Sequence, residues 1–340
     1  MDRPKVLVTP PKSIMRRIST PEAEDALLSF SEVVENDKDR QFTPEELEDI
    51  TVDVDGVITS WGSPRITPDV LEKAGRLKII GHAAGSVKPY ICDEVFERGI
   101  VVTNAASTIA YSVAEYALVQ MLNCLREIPD YIRLMKEGAE QPFKREHYGE
   151  GLCKDLTGKR IGLVGSGNVA RRLIQLLKAF DVEIKVYDPY LSEAEAAHLG
   201  VKKASFEEVL SNSDVISLHA AVTPETHHMM GRRELEMIKD GAIFINCARG
   251  ALVDESALIF ELRKGRFKAA LDVAGEETRG IPLDSDLRKL DNVYLTPGLA
   301  GPSGERRRKM FGTVVEDFRL FFTGKEPRNM VRRETLPRIA

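Results

Sequence analysis

Cysteine is scarce: Cys92, Cys124, Cys153 and Cys247 are the four in 340 residues, and no two form a C-x-x-C pair. A chain of this length buries enough surface to fold without staples, so a disulfide framework is excluded and a reducing, cytoplasmic setting is expected. Long apolar runs are missing too. The most apolar stretch, 109–125, is interrupted by Tyr111, Ser112, Glu115, Tyr116, Gln120 and Asn123, whereas a membrane-spanning helix needs about 20 mostly apolar residues. It reads as a buried interface helix. Met1–Lys5 runs directly into Val6-Leu7-Val8 without a signal-peptide core, so secretion is not expected. Neither sign of charge dominates: 48 basic against 53 acidic residues leave −5, too little to draw in nucleic acid or an anionic membrane. The one dense basic run, Arg306–Lys309, reads as a solvated helix face. Repeats and low-complexity tracts are absent, and 43% hydrophobic with 30% charged residues excludes disordered, collagen-like and coiled-coil chains.

What the chain does contain is an alternation of short β-branched runs with amphipathic helical stretches, the pattern of parallel sheets covered by helices. The class is α/β. Strands are predicted at 5–8, 54–59, 77–80 and 100–102 and, beyond a polar connection over 136–158, at 161–164, 183–187, 215–219, 242–246, 268–273 and 293–296. Thr43-Pro44 and Thr67-Pro68 each join an N-cap to a proline at the first helical position. The six later strands suffice for a dinucleotide fold. A last helix, about 307–322, is too short to be a domain, and the Pro/Gly-rich crossing at 297–304 lets it return to the N-terminal part. At about 150 residues per domain, the expected organisation is a discontinuous domain of 1–106 plus 301–340, with a second domain, 107–300, inserted in it.

Gly165-Ser166-Gly167-Asn168-Val169-Ala170 follows a predicted strand and opens a helical run, the context in which G-x-G-x-x-A is informative. Gly165 permits the tight turn, Gly167 lets the backbone approach a pyrophosphate and Ala170 allows close packing. The helix N-terminus, with Asn168 and Val169, then holds phosphates. Asp188 ends the next strand, where a carboxylate accepts hydrogen bonds from an adenosine ribose and repels a 2′-phosphate. No lysine or arginine follows at 189–193, so NAD is expected rather than NADP.

Asn246-Cys247-Ala248-Arg249-Gly250-Ala251-Leu252-Val253-Asp254-Glu255, Leu271-Asp272-Val273 and Leu295-Thr296-Pro297 resemble blocks of the D-isomer-specific 2-hydroxyacid dehydrogenase family. Arg98–Asn104, Val113-Ala114-Glu115, Ser217-Leu218-His219 and Thr223–Thr226 are similar to further blocks in the same order, so the resemblance covers nearly the whole chain. It implies a Rossmann-type NAD-binding domain inserted into a discontinuous flavodoxin-like substrate domain, with the chemistry in the cleft between them. It implies hydride transfer between nicotinamide and the α-carbon of a small 2-hydroxy or 2-keto acid. Arg249 then serves as the cation for the carboxylate and carbonyl, its planar fork suited to bidentate binding. The backbone of Ala84-Gly85-Ser86 holds the carboxylate, although the family usually has glycine in place of Ala84 and Ser86. Asp272 contacts the nicotinamide amide, and His219, Thr226 and Cys247 lie beside the cofactor, Cys247 as a small packed side chain rather than a nucleophile. Glu277, with Glu276 as a close rival, stands where the family glutamate orients a catalytic histidine. The 109–126 helix resembles the segment that pairs family members into homodimers. No metal is implied.

The main departure is Gly298, which aligns with the family's general acid/base histidine. Acid–base catalysis is typically worth about 10²–10⁴-fold, so the resemblance leaves two functions open: a dehydrogenase with an atypical proton donor, and a catalytically silent NAD-binding protein used for sensing or partner binding. Candidate donors are His82, His219 and water admitted by the space at Gly298. His147, His198, His227 and His228 have polar neighbours and read as surface residues.

Overall fold

The computed structural model describes residues 3–138, 153–276 and 281–339. It divides into two compact units, Met1–Tyr111 with Pro302–Ile339, and Ser112–Gly301.

In the first unit, β1 (Lys5–Val8), β2 (Glu32–Glu35), β3 (Gly56–Thr59), β4 (Ile79–His82) and β5 (Val101–Asn104) form a parallel sheet in the order β2-β1-β3-β4-β5. This is the flavodoxin-like winding. The short strand Met330–Val331 adds antiparallel to β5. Every residue of β3 and β4 is buried, as a parallel sheet covered on both faces requires. Thr43 and Thr67 cap their helices by accepting from the Glu46 and Val70 amides, with the prolines in the first turn. Strand β2 was not expected, because Glu32-Val33-Val34-Glu35 is a short edge with charged ends.

The helix Gly304–Phe322 belongs to this unit and buries Met310, Phe311, Val314, Val315 and Phe318. Gly81 of β4 sits directly beneath it: a Cβ there would lie 2.2 Å from Val314 Cγ1 and 2.6 Å from Phe318 Cε2. Overpacking of this kind costs about 1–3 kcal/mol, so Gly81→Ala is expected to lower the unfolding midpoint of this unit by several degrees in a thermal melt.

The second unit is an all-parallel sheet of β6 (Arg160–Val164), β7 (Glu183–Tyr187), β8 (Lys202–Lys203), β9 (Val215–Leu218), β10 (Ile243–Asn246), β11 (Lys268–Leu271) and β12 (Val293–Leu295). Their order is β8-β7-β6-β9-β10-β11-β12, a Rossmann winding whose order reverses between β6 and β9. Ligands of such sheets bind above the carboxyl ends of the strands at that switch. Seven strands are found here instead of the six expected, since the Lys202-Lys203 edge carries no apolar signal. The helix Ala106–Arg126 brings Ala114, Ala117, Met121, Cys124 and Leu125 into the core of this unit. Among the described residues no helix is long and apolar enough to cross a membrane.

Candidate functional site

The β6-to-helix turn is built by its glycines. Gly165 has φ +98°, and a Cβ on it would come within 2.8 Å of the His219 backbone, so only glycine fits. Gly167 is different. With φ −69° it caps the helix Asn168–Leu177 in a conformation open to any residue, and among the described residues no atom beyond its chain neighbours lies within 4 Å of where its Cβ would stand. Nothing within the described protein demands glycine there. What a side chain would obstruct is the open space in front of a helix N-terminus that no side chain caps, which is where a pyrophosphate binds. Ala170 is fully buried behind the turn.

Asp188 follows β7 and ties this turn to the strand end. Its Oδ2 accepts from the Ser166 amide at 2.8 Å and the Ser166 hydroxyl at 2.7 Å, and its Oδ1 from the Tyr190 amide at 2.9 Å. A carboxylate has about four acceptor positions, so one remains for a ribose hydroxyl. His219, just past β9, has its Nε2 buried without a partner, and burial pushes its pKa down to about 4. It is neutral at pH 7. Thr226 closes a turn with Thr223, its hydroxyl meeting the Ala221 carbonyl at 2.6 Å.

Arg249 follows β10 in a loop held by Asn246, whose side chain donates to the Arg249 carbonyl at 2.9 Å and accepts from the Ala248 amide at 3.1 Å. The guanidinium is half-buried, and burial alone pushes it below the usual arginine value. Among the described residues its one hydrogen bond goes to the neighbouring Ala248 carbonyl at 2.8 Å. Among the described residues no carboxylate pairs with it. A desolvated cation without a counter-charge is costly, and an incoming carboxylate relieves that cost.

Asp272, almost fully buried, clamps the turn that carries Gly298. It accepts from Thr296 Oγ1 at 2.7 Å, the Leu299 amide at 2.7 Å and the Ala300 amide at 2.8 Å, while its carbonyl takes the Gly298 amide at 3.1 Å. Thr296 also bonds Tyr116, which Gln120 meets at 2.6 Å. Gly298 itself is exposed and has φ +75°, and among the described residues nothing beyond its chain neighbours lies within 4 Å of where a Cβ would stand. Glu277 and His147 lie outside the described residues. Glu276 instead meets His227 and His228.

In the first unit His82 does not have the surroundings of an acid. It is fully buried, bonded through Nδ1 to Thr59 Oγ1 at 2.9 Å and stacked on Tyr90, and burial pushes its pKa down to about 3. The Ala84 amide is already bonded to the His82 carbonyl at 2.7 Å. In the turn 84–86 this leaves the Gly85 and Ser86 amides, for which no acceptor stands among the described residues.

The thiol of Cys247 is buried, and burial together with the charge of Asp272 pushes it up to about 12. At pH 8 that leaves a thiolate fraction of about 10⁻⁴, against roughly a quarter for an ordinary thiol. Iodoacetamide on the native protein is expected to label the half-buried Cys153 first and to spare Cys247, Cys124 and Cys92 until unfolding, as read by peptide mass spectrometry.

A doubly wound sheet with a glycine turn at its switch point, a carboxylate at the end of the adjacent strand and, past β10, a cation without a carboxylate partner among the described residues defines a dinucleotide-binding fold. Residues 118–300 match the model of the D-isomer specific 2-hydroxyacid dehydrogenase NAD binding domain. The chain is 36% identical over 323 residues to a D-3-phosphoglycerate dehydrogenase of Methanocaldococcus jannaschii, covering 94% of this chain and 60% of that protein. It therefore spans about three-fifths of that relative's length. It is 33% identical over 289 residues to a glyoxylate reductase of Korarchaeum cryptofilum, covering 84% of each. Among solved structures, a phosphoglycerate oxidoreductase from Rhizobium etli superposes with a TM-score of 0.84 at 31% identity, covering 98% of this chain and 100% of that one. The chain belongs to the D-isomer specific 2-hydroxyacid dehydrogenase family, and the cofactor of its second unit is NAD.

Proposed function

We propose that the chain is an NAD-dependent oxidoreductase acting on a small 2-hydroxy or 2-keto acid. The observation that carries this reading is Arg249: a half-buried guanidinium with no carboxylate partner among the described residues, on the strand-end side of a nicotinamide-type fold. NAD, when bound, supplies or accepts the hydride. Arg249 binds the acid's carboxylate, aligns its carbonyl and stabilises charge on the carbonyl oxygen as it develops. The Gly85 and Ser86 amides of the first unit are assigned the remaining carboxylate contact, which makes 1–106 with 301–340 the substrate-binding domain. Asn168 and Val169 hold phosphate, Asp188 the ribose, and His219, Thr226, Cys247 and Asp272 line the nicotinamide end. Glu277 is assigned to the proton path. With His82 neutral and buried, and His219 neutral with its Nε2 buried, the proton comes from water entering beside Gly298.

The same reading places the protein in the cytoplasm, where its four free thiols suit a reducing medium. It also makes the protein a homodimer through the 109–126 helix, where Val119 is 50% exposed; light scattering should then return twice 37.9 kDa. NADH oxidation with glyoxylate, hydroxypyruvate, pyruvate and bulkier 2-keto acids tests the function. Turnover of at least one acid, slower than acid-catalysed chemistry allows, is expected. Cofactor binding without turnover of any acid, in this chain and in Gly298→His alike, would leave the silent NAD-binding reading that Gly298 favours.

A further inference from the structure

One cluster of titratable side chains is not used by the function proposed above. His227 and His228 follow the Thr223–Thr226 turn, and their rings stack with centroids 4.0 Å apart. Both reach one carboxylate: His227 Nε2 lies 3.1 Å from Glu276 Oε2, and His228 Nε2 lies 2.8 Å from Glu276 Oε1. The ligand atoms of the three residues all fall within 4.8 Å of one another, and each side chain is accessible. Among the described residues no lysine or arginine competes for Glu276. His228 holds the left-handed φ of +51°, fixed by its amide's bond to the Ala251 carbonyl at 2.8 Å. A non-glycine residue in that region is uncommon and strained. Here it accompanies two consecutive imidazoles converging on a single acceptor.

We propose that His227, His228 and Glu276 form a binding site for a divalent transition-metal ion of the zinc type. Two imidazoles and one carboxylate are a zinc donor set, and one tetrahedral position stays open to water. Metal–ligand bonds of about 2.0–2.2 Å put neighbouring ligand atoms of a tetrahedron about 3.3 Å apart; the two imidazoles here meet different oxygens of Glu276 at 2.8 and 3.1 Å, and one ligand atom from each residue falls within 4.8 Å of the others. An ion enters as the stacked rings rotate to converge on it, each imidazole then offering an Nε2 lone pair with its proton on Nδ1, in place of the Nε2–H that Glu276 accepts without metal. Magnesium and calcium, which demand oxygen ligands, are rejected by the same set. The ion joins the 223–228 segment to the end of the 273–276 segment, which lies against the turn following Arg249: a Cβ on Gly250 would strike the Gly275 carbonyl at 2.0 Å. The site stands independently of the reaction proposed above.

The test is a titration of chelator-treated full-length protein with zinc against a chromophoric chelator, alongside thermal melts. One zinc per chain is expected to bind and to raise the melting temperature, with millimolar magnesium unable to compete. Glu276→Gln and His228→Ala should each weaken binding by about 10²-fold and abolish the zinc-dependent shift, while their melts without metal stay close to the parent's. Absence of stoichiometric zinc in the parent would overturn the proposal, leaving a carboxylate hydrogen-bonded to two histidines. Zinc retained at full affinity by both variants would overturn it equally.

Discussion

Arg249→Gln is expected to lower kcat/KM for reduction of the best 2-keto acid by on the order of 10²–10³-fold while leaving the affinity for NADH within about threefold. The magnitude follows from the surroundings of the side chain. A desolvated cation that gains its only carboxylate from the ligand makes a charge pair whose truncation costs about 2–5 kcal/mol, and each 1.4 kcal/mol is tenfold. Glutamine keeps the length and part of the hydrogen bonding but removes the charge. The loss should fall on both KM and kcat if, as proposed, the guanidinium holds the carboxylate in the ground state and the carbonyl oxygen as charge develops on it. Arg249→Lys should recover only part of the loss, since an ammonium restores charge without the planar fork. On the function proposed above the cofactor is spared, because the turn and carboxylate assigned to its phosphates and ribose, Gly165–Ala170 and Asp188, take no hydrogen bond from Arg249. Steady-state kinetics with an independent NADH-binding measurement by fluorescence decide it. A kcat/KM within threefold of the parent would remove Arg249 from the site.

How far these residues could be read in advance depends on how local their physics is. The glycine turn and Asp188 are legible because a strand, a tight turn and a helix start within six residues leave a pattern in the chain. The buried strands β3, β4, β9 and β10 are legible because both their faces are covered and nearly every position is apolar. Edge strands lack that pressure, which is why Glu32–Glu35 and Lys202–Lys203 carry no signal. The clamp of Asp272 on 296–300 is hidden for another reason: its partners are two backbone amides and a hydroxyl 24 or more residues away, and amides have no residue type to recognise. His82 is misleading in sequence. It stands next to a glycine-containing turn like a reachable acid, but the sheet buries its ring among Thr59 and Tyr90. The junction of His227 and His228 with Glu276 spans 49 residues from His227, and it arises only when the 223–228 and 273–276 segments meet.

Gly298→His is expected to raise kcat/KM for keto-acid reduction by about 10²-fold, the lower part of the range for a positioned general acid. Among the described residues no atom beyond the chain neighbours lies within 4 Å of the new Cβ, and the turn is held from below by the Asp272 carboxylate. The backbone sets the limit. At φ +75° a side chain costs roughly 1 kcal/mol, although histidine is among the residues enriched there. Gly298→Asn supplies the control, because it tolerates the same φ and cannot donate a proton in the required way. The gain should carry a pH signature. Reduction needs the protonated imidazole, so in the histidine variant the rate falls as pH rises through roughly 6.5, a step that Gly298→Asn does not acquire. His219 and His82 cannot mimic it, since they are pushed down to about 4 and about 3. If Gly298→His is no faster than Gly298→Asn at every pH from 5 to 9, the lack of an imidazole at this position is not what limits the reaction.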